Sequence, residues 1–343
     1  MKAPSALFST VLEDYGRVIR RVLRGYLPKG LAQGYLDDPI RDYPSRGGKM
    51  MRPALCIATA RALGAPAEPT IRAAVSIEML HNALLIYDDI QDESLQRRGR
   101  PALHHLHGIP LALTAANALI LSSLRPLIGP RWLDRTLVLH LLREMEITAL
   151  ESAEGQALEL GWRRDNRFDL GEADYLEMVL KKTCWFATIY PMRVGALIAL
   201  RERLPWDALV RFGFFLGAAF QIQDDLLNLL ATGPRYGKEI AGDLWEGKRT
   251  LMLIRLYHES SPEDRRRLRE VFARPRQQRS VESILWVQRR MNALDCYEHA
   301  RCTARALVDA AAHEFALFFD PLPPSRDKMF LEQTMAWVVQ RGA

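Results

Sequence analysis

Tyr87-Asp88-Asp89-Ile90-Gln91-Asp92 ends a run of apolar residues that begins near Ile71, and Gln221-Ile222-Gln223-Asp224-Asp225-Leu226-Leu227-Asn228 ends a second run that begins near Ala208. Apolar residues recur in both runs at helical spacing, which predicts helices over 71–93 and 208–230. Each is apolar nearly all round, so each belongs in the middle of a large bundle. Residues four apart on a helix share a face. Asp88 and Asp92 therefore stand together with Asp89 beside them, and Asp224 and Asn228 repeat the arrangement with Asp225. Like charges at that spacing destabilise a helix, so an apolar helix that ends this way calls for cations. Oxygen donors of this kind suit magnesium, which is often held between one or two carboxylates and the phosphates of a substrate. One such motif reads equally well as a solvated helix end. Two of them, each closing an apolar helix, point to metal ions gripping a diphosphate across a bundle.

Working outward, the pattern predicts further helices over 110–127 and 132–163, and one capped by Asp169 that runs toward Leu200. Ser261-Pro262, with Asp264 three residues on, predicts a capped helix over 262–273, and Ser280 caps another. Breakers separate these segments at 44–48, 64–69, 98–101, 129–130, 274–280 and 321–324. Alternating β-branched patterns are scarce, so the fold class is all-α.

Cations gather beside the acidic motifs. Gly47-Gly48-Lys49-Met50-Met51-Arg52-Pro53 joins glycines, which let backbone approach a phosphate, to two cations. Arg97 and Arg98 follow the first motif, and the planar fork of arginine suits phosphate oxygens. Lys182-Thr183 interrupts an apolar helix, while Lys238 and Lys248 flank Asp243. Each cation taken singly reads as a surface residue; their joint placement carries the argument. His81 stands two turns before Asp88 and reads by itself as a core histidine. His104, His105 and His107 crowd a turn and are assigned no metal.

The 343 residues carry a net charge of +6, with 48% hydrophobic and 26% charged residues, as in a soluble globular protein. A nucleic-acid binder would explain the charge but not the carboxylate pairs. Arg265-Arg266-Arg267 reads as a solvated helix face. The four cysteines form no C-x-x-C pair, the N-terminus has no signal-like apolar run, and no stretch reads as a stable membrane insertion. The cytoplasm is the simplest compartment.

In order, Gly48-Lys49 with Arg52-Pro53, Glu78-Met79-Leu80-His81, Asp88-Asp89-x-x-Asp92 with Arg97-Arg98-Gly99, Gly155-Gln156, Lys182-Thr183, Phe220-Gln221, Asp224-Asp225, Gly237-Lys238, Asp243-Leu244 and Glu246-Gly247-Lys248 resemble the trans-polyprenyl synthetase family, which includes farnesyl and geranylgeranyl diphosphate synthases. The likeness runs from Gly47 to about Met252. It implies one catalytic domain over 1–343, an isoprenoid-synthase helical bundle around a deep cavity, usually as a homodimer. It implies three magnesium ions (Mg2+), with Asp88, Asp92 and Asp224 as direct ligands and Asp89, Asp225 and Asn228 in support. Lys182, Lys248 and Arg97 would then hold an allylic diphosphate, and Lys49, Arg52, His81 and Arg98 isopentenyl diphosphate. Lys238 joins the substrate-binding cations. Thr183 and Gln221 would lie near the reacting carbons, and the released diphosphate would accept the proton.

Two departures stand out. Asn228 replaces the commonest third aspartate, keeping a coordinating oxygen but no charge. Thr114-Ala115-Ala116-Asn117 stands where a glycine-aspartate ending is more usual. In this family, bulky aromatics before the first motif block the growing tail. Here Ala83 and Leu84 precede Asp88, so the tail would pass toward Leu119, Ser122 or Ser123. That favours geranylgeranyl diphosphate, with farnesyl or longer products as alternatives. A class I terpene cyclase has no need of Lys49, Arg52 and Arg98 together, and its second motif ends in a glutamate where Thr232 stands. A non-catalytic partner subunit commonly loses an acidic motif, and this chain keeps both.

Overall fold

The computed structural model describes residues 6–129, 134–201, 206–230 and 241–340. Lys238 and Thr232 lie outside them. The order of elements is α1 (Ala6–Tyr26), α2 (Asp37–Ser45), α3 (Met51–Ala62), α4 (Ala67–Gln91), a small hairpin of β1 (Gln96–Arg97) and β2 (Arg100–Pro101), α5 (Leu103–His107), α6 (Ile109–Ser123), α7 (Arg125–Ile128) and α8 (Arg135–Arg164). Then come α9 (Glu172–Val179), a π-helical segment (Leu180–Ile189), α10 (Tyr190–Leu200), α11 (Trp206–Leu230), α12 (Gly242–Glu246), α13 (Leu251–Glu259), α14 (Pro262–Ala273), α15 (Val281–Ala293), α16 (Cys296–Phe319) and α17 (Arg326–Gln340). The fold is all-α, as the pattern predicts.

The two apolar helices sit in the middle. Ala73 through Leu80 of α4 are all buried, which requires neighbours on every side, and α3, α6 and α10 supply them. Helix α11 packs against α16, α17 and the π-helical segment, and the π-helical segment packs against α8. The buried apolar side chains form three clusters: around α4 and α6, between α9, α11 and α13–α16, and where α1, α3, α16 and α17 meet. Both acidic motifs lie at helix ends beside these clusters, which brings charge to the edge of a dry interior.

Local chemistry explains where the boundaries differ from the sequence pattern. Ser261 and Ser280 cap as expected, accepting from the backbone of Asp264 and Ser283 at 3.2 Å each. Asp169 does not cap: it pairs with Arg167, and Gly171 begins α9 with its N–H donating to Asp174 at 2.7 Å. The helix expected over 110–127 breaks at Leu124, because Pro126 starts the short α7. Pro44 lies inside α2 rather than in a loop. The arginine run of α14 is not merely solvated: Arg265 donates to the Tyr257 carbonyl at 2.8 Å, and the Arg267 guanidinium lies 4.2 Å from the Trp286 ring centre.

By length and composition, Ile109–Ile128 and Glu172–Leu200 could each cross a membrane. The second is mostly buried, and α6 lies against α4, so both serve as bundle helices here.

Candidate active site

The last turn of α4 is packed with counter-ions. Asp89 is fully buried and turned away from the cleft: Arg97 Nε lies 2.9 and 3.0 Å from its two oxygens, and the Tyr43 hydroxyl also donates to it. Asp88 accepts from Arg97 Nη2 at 3.2 Å and lies 3.7 Å from Lys182 Nζ. Asp92 is 1% exposed and is gripped by Arg163 Nη1 at 2.6 Å and Lys248 Nζ at 2.8 Å. Burial alone would raise the Asp92 carboxyl, but Lys248, Lys182 and Arg163 together hold it far below its ordinary range. The ammoniums have a second set of partners. Lys182 Nζ is 2.8 Å from Glu159, and Lys248 Nζ is 2.6 Å from Glu246 and 3.4 Å from Asp243. Burial pushes the Glu246 carboxyl up to about 7 against the pull of Lys248.

The second motif divides its labour. Asp225 faces inward, accepting from Tyr175 at 2.8 Å and from Gln221 Nε2 at 2.7 Å. Gln221 in turn accepts from Thr183 Oγ1 at 2.8 Å. The chain Tyr175–Asp225–Gln221–Thr183 therefore ties α9, α11 and the π-helical segment together. Burial and the nearby Asp243 charge raise the Asp225 carboxyl well above its ordinary range. Asn228 Oδ1 accepts from the Asp243 N–H at 3.0 Å, so its amide oxygen is committed to the start of α12. Asp224, one turn earlier, shares its face.

Asp88, Asp92, Arg97, Asn228, Asp243, Glu246 and Lys248 line one polar cleft. The first motif lines it with Asp88 and Asp92, and the second reaches it through Asn228. Among the described residues no group of three or more acidic, histidine or cysteine side chains forms a ready-made metal site. The carboxylates are held by cations instead. Such a donor set fits a hard cation that completes its shell with a ligand's phosphate oxygens.

Lys182 and Thr183 stand on the π-helical segment, a geometry uncommon over ten residues. Glycines let its neighbours close in. A Cβ on Gly155 of α8 would lie 2.2 Å from the Lys182 backbone nitrogen, and one on Gly217 of α11 would lie 2.9 Å from Cys184 Sγ.

Arg52, His81 and Arg98 gather around Glu78 of α4, and Lys49 lies against α17. The Lys49 ammonium lies 5.2 Å from the Trp337 ring centre and the Arg52 guanidinium 5.3 Å from that of Phe186. Arg98 donates to the Tyr43 carbonyl at 3.2 Å, and its guanidinium occupies the space a Cβ on Gly48 would need. That glycine makes room for an arginine rather than for a phosphate. Ala83 is fully buried and Leu84 partly so; Leu119, Ser122 and Ser123 are buried on α6. The unusual Asn117 accepts from the Tyr87 hydroxyl, joining α6 to the residue before Asp88.

Sequence reasoning missed Tyr43, Glu159, Arg163 and Tyr175, and gave Glu78 and Glu246 no role although both stand inside quoted motifs. The first four are ordinary residue types outside those motifs. Only the fold makes them partners.

Residues 33–287 match the family model for Polyprenyl synthetase. The chain belongs to this family. It is 32% identical to the geranylgeranyl pyrophosphate synthase of Geoglobus acetivorans over 253 residues, covering 74% of this chain and 77% of that protein. It is 35% identical to a short chain isoprenyl diphosphate synthase of Methanothermobacter thermautotrophicus over 222 residues, covering 65% of this chain and 67% of that protein. Its fold matches the crystal structure of geranylgeranyl pyrophosphate synthetase from Pyrococcus horikoshii with a TM-score of 0.85 and 26% identity over 98% of both chains. The chain is a prenyltransferase of the isoprenyl diphosphate synthase class.

Proposed function

We propose that this synthase joins isopentenyl diphosphate to an allylic diphosphate and releases geranylgeranyl diphosphate, with residues 1–343 acting as one catalytic unit. The observation that carries this reading is the shared cleft of Asp88, Asp92 and the Asn228 turn of α11, ringed by Arg97, Lys182 and Lys248. Its likeness to a short chain isoprenyl diphosphate synthase and a geranylgeranyl pyrophosphate synthase supports the substrate class and the product.

Asp88, Asp92 and Asp224 would hold magnesium, three ions in all with substrate, which would stabilise the charge that grows on the departing diphosphate. Asp89, Asp225 and Asn228 act behind them: Asp89 aims Arg97, Asp225 aims Gln221, and Asn228 anchors Asp243. Lys182, Lys248 and Arg97 take the allylic diphosphate. Glu159 and Glu246 keep the two ammoniums in place before it arrives. Thr183 and Gln221 border the reacting carbons, and the apolar interior keeps water from the allylic cation. Isopentenyl diphosphate falls to Lys49, Arg52, His81 and Arg98, and no protein base is required.

The test is to incubate the purified protein with magnesium, isopentenyl diphosphate and each of the dimethylallyl, geranyl and farnesyl starters, and to identify products by mass. Geranylgeranyl diphosphate supports the reading. A hydrocarbon made without isopentenyl diphosphate overturns it. In the same assay Ala83→Phe shortens the product, because a benzyl group enters a fully buried position where a methyl now stands. Unchanged length removes Ala83 from the tail's path.

Leu121 on α6 with Leu139 and Leu150 on α8 are 65–68% exposed, and such apolar faces suit a homodimer. Sedimentation of a 39.1 kDa monomer at micromolar concentration contradicts the dimer. Four free cysteines fit a cytoplasmic setting.

A further inference from the structure

Glu78 lies one turn before His81 on α4 and is 2% exposed. Its Oε1 accepts from Asn82 Nδ2 at 3.1 Å, and its Oε2 stands 3.5 Å from His81 Nδ1. Burial alone would raise this carboxyl. A charged His81 ring, then Arg98 and Arg52, pull it below its ordinary value. Of these the two guanidiniums remain when the ring is neutral, with the Asn82 amide donating to it, so Glu78 stays a carboxylate beside a neutral His81. A carboxylate facing Nδ1 favours the tautomer with its proton there. Nδ1 is buried and makes no hydrogen bond in this structure, with the Glu78 carboxylate at 3.5 Å as its charged neighbour, which leaves Nε2 as the nitrogen available to a ligand.

A neutral ring in that tautomer presents a lone pair at Nε2. A phosphate oxygen approaching it would meet another lone pair, so a second proton is needed before His81 can donate. The groups that bear on His81 are Glu78 on its own helix, Arg52 from α3 and Arg98 from the hairpin; Phe186 of the π-helical segment, 6.0 Å away, carries no charge. Burial and Arg52 pull the ring down to about 4, so it is uncharged in the free protein near neutral pH. A diphosphate reverses each influence: it offsets both guanidiniums and places negative charge beside Nε2.

We propose that isopentenyl diphosphate is captured together with one proton from solvent, taken up on His81 Nε2 while Glu78 retains the proton on Nδ1. Glu78 is thus a positioning residue. This rests on the assignment of His81, Arg52 and Arg98 to isopentenyl diphosphate.

Titration calorimetry of the full-length protein with isopentenyl diphosphate alone, at pH 7 in buffers of different ionisation enthalpy, reads the protons directly. Wild type takes up about one proton per ligand more than His81→Gln, whose amide needs none to donate. Glu78→Gln reduces the uptake and raises KM for isopentenyl diphosphate about tenfold while KM for the allylic substrate stays unchanged. A merely structural role for Glu78 would move both constants. Equal uptake by wild type and His81→Gln, with both binding, overturns the proton linkage and leaves the site assignment standing. Absence of any binding heat overturns the assignment and the linkage with it.

Discussion

Gly155→Ala lowers kcat about a hundredfold, and it does so without touching a substrate group. The added Cβ would sit 2.2 Å from the Lys182 backbone nitrogen and 2.7 Å from its Cα. Backbone cannot rotate aside as a side chain can, so α8 and the π-helical segment must separate by roughly 1 Å. A misplacement of that size at a reacting centre costs about 10²-fold. KM for the allylic diphosphate should rise as well, because Lys182 loses its register with Asp88 and Glu159. Overpacking at such a contact also costs about 1–3 kcal/mol of stability. Gly161→Ala is the matched control: it lies on the same helix, and a Cβ there meets nothing within 4 Å. Steady-state kinetics on the two variants separates a helix-wide effect from a local one. Full activity in Gly155→Ala shows that the close approach does not position Lys182.

Neighbouring aspartates should fail in different ways. Asp88 is one-third exposed and faces the cleft, whereas Asp89 is fully buried between Arg97 and Tyr43. Asp88→Asn removes a proposed metal ligand and leaves a polar group with water in reach. Its kcat falls about 10³-fold, a loss of ~4 kcal/mol of transition-state stabilisation, with little change in Tm. Asp89→Asn leaves the buried Arg97 guanidinium with Asp88 as its remaining carboxylate, and breaking such a buried pair costs about 3–5 kcal/mol of folding stability. Thermal melts and kinetics on both variants check this. An Asp89→Asn protein as stable as wild type contradicts the division of roles.

The sequence showed the two apolar helices, their acidic ends and the cations that follow them, because each is a local pattern. Helix caps at Ser261 and Ser280 were legible for the same reason. The π-helical segment was not: over ten residues the apolar spacing of Leu180–Ile189 does not distinguish it from an α-helix. What sustains it is packing by Gly155 and Gly217 from two distant helices. Counter-ions were equally hidden. Glu159 is 23 residues from Lys182, and Arg163 is 71 from Asp92, and nothing local links either pair. Asn228 looked like a weakened metal ligand, yet its oxygen holds the Asp243 backbone, a bond that an amide makes as well as a carboxylate would.

Under the proposed function the acidic motifs would take up metal only with a diphosphate. In the free protein Asp92 is already paired with Arg163 and Lys248, and Asp88 with Arg97 and Lys182. On the proposed function, a substrate's phosphates would give those cations another partner and leave the carboxylates for metal. Titrating Mn2+ into the protein, with and without an unreactive allylic thiolodiphosphate, and counting bound ions by electron paramagnetic resonance tests this most directly. Tight binding only with the analogue, lost in both Asp88→Asn and Asp224→Asn, is the predicted result; equal tight binding without the analogue, or binding indifferent to both substitutions, contradicts it.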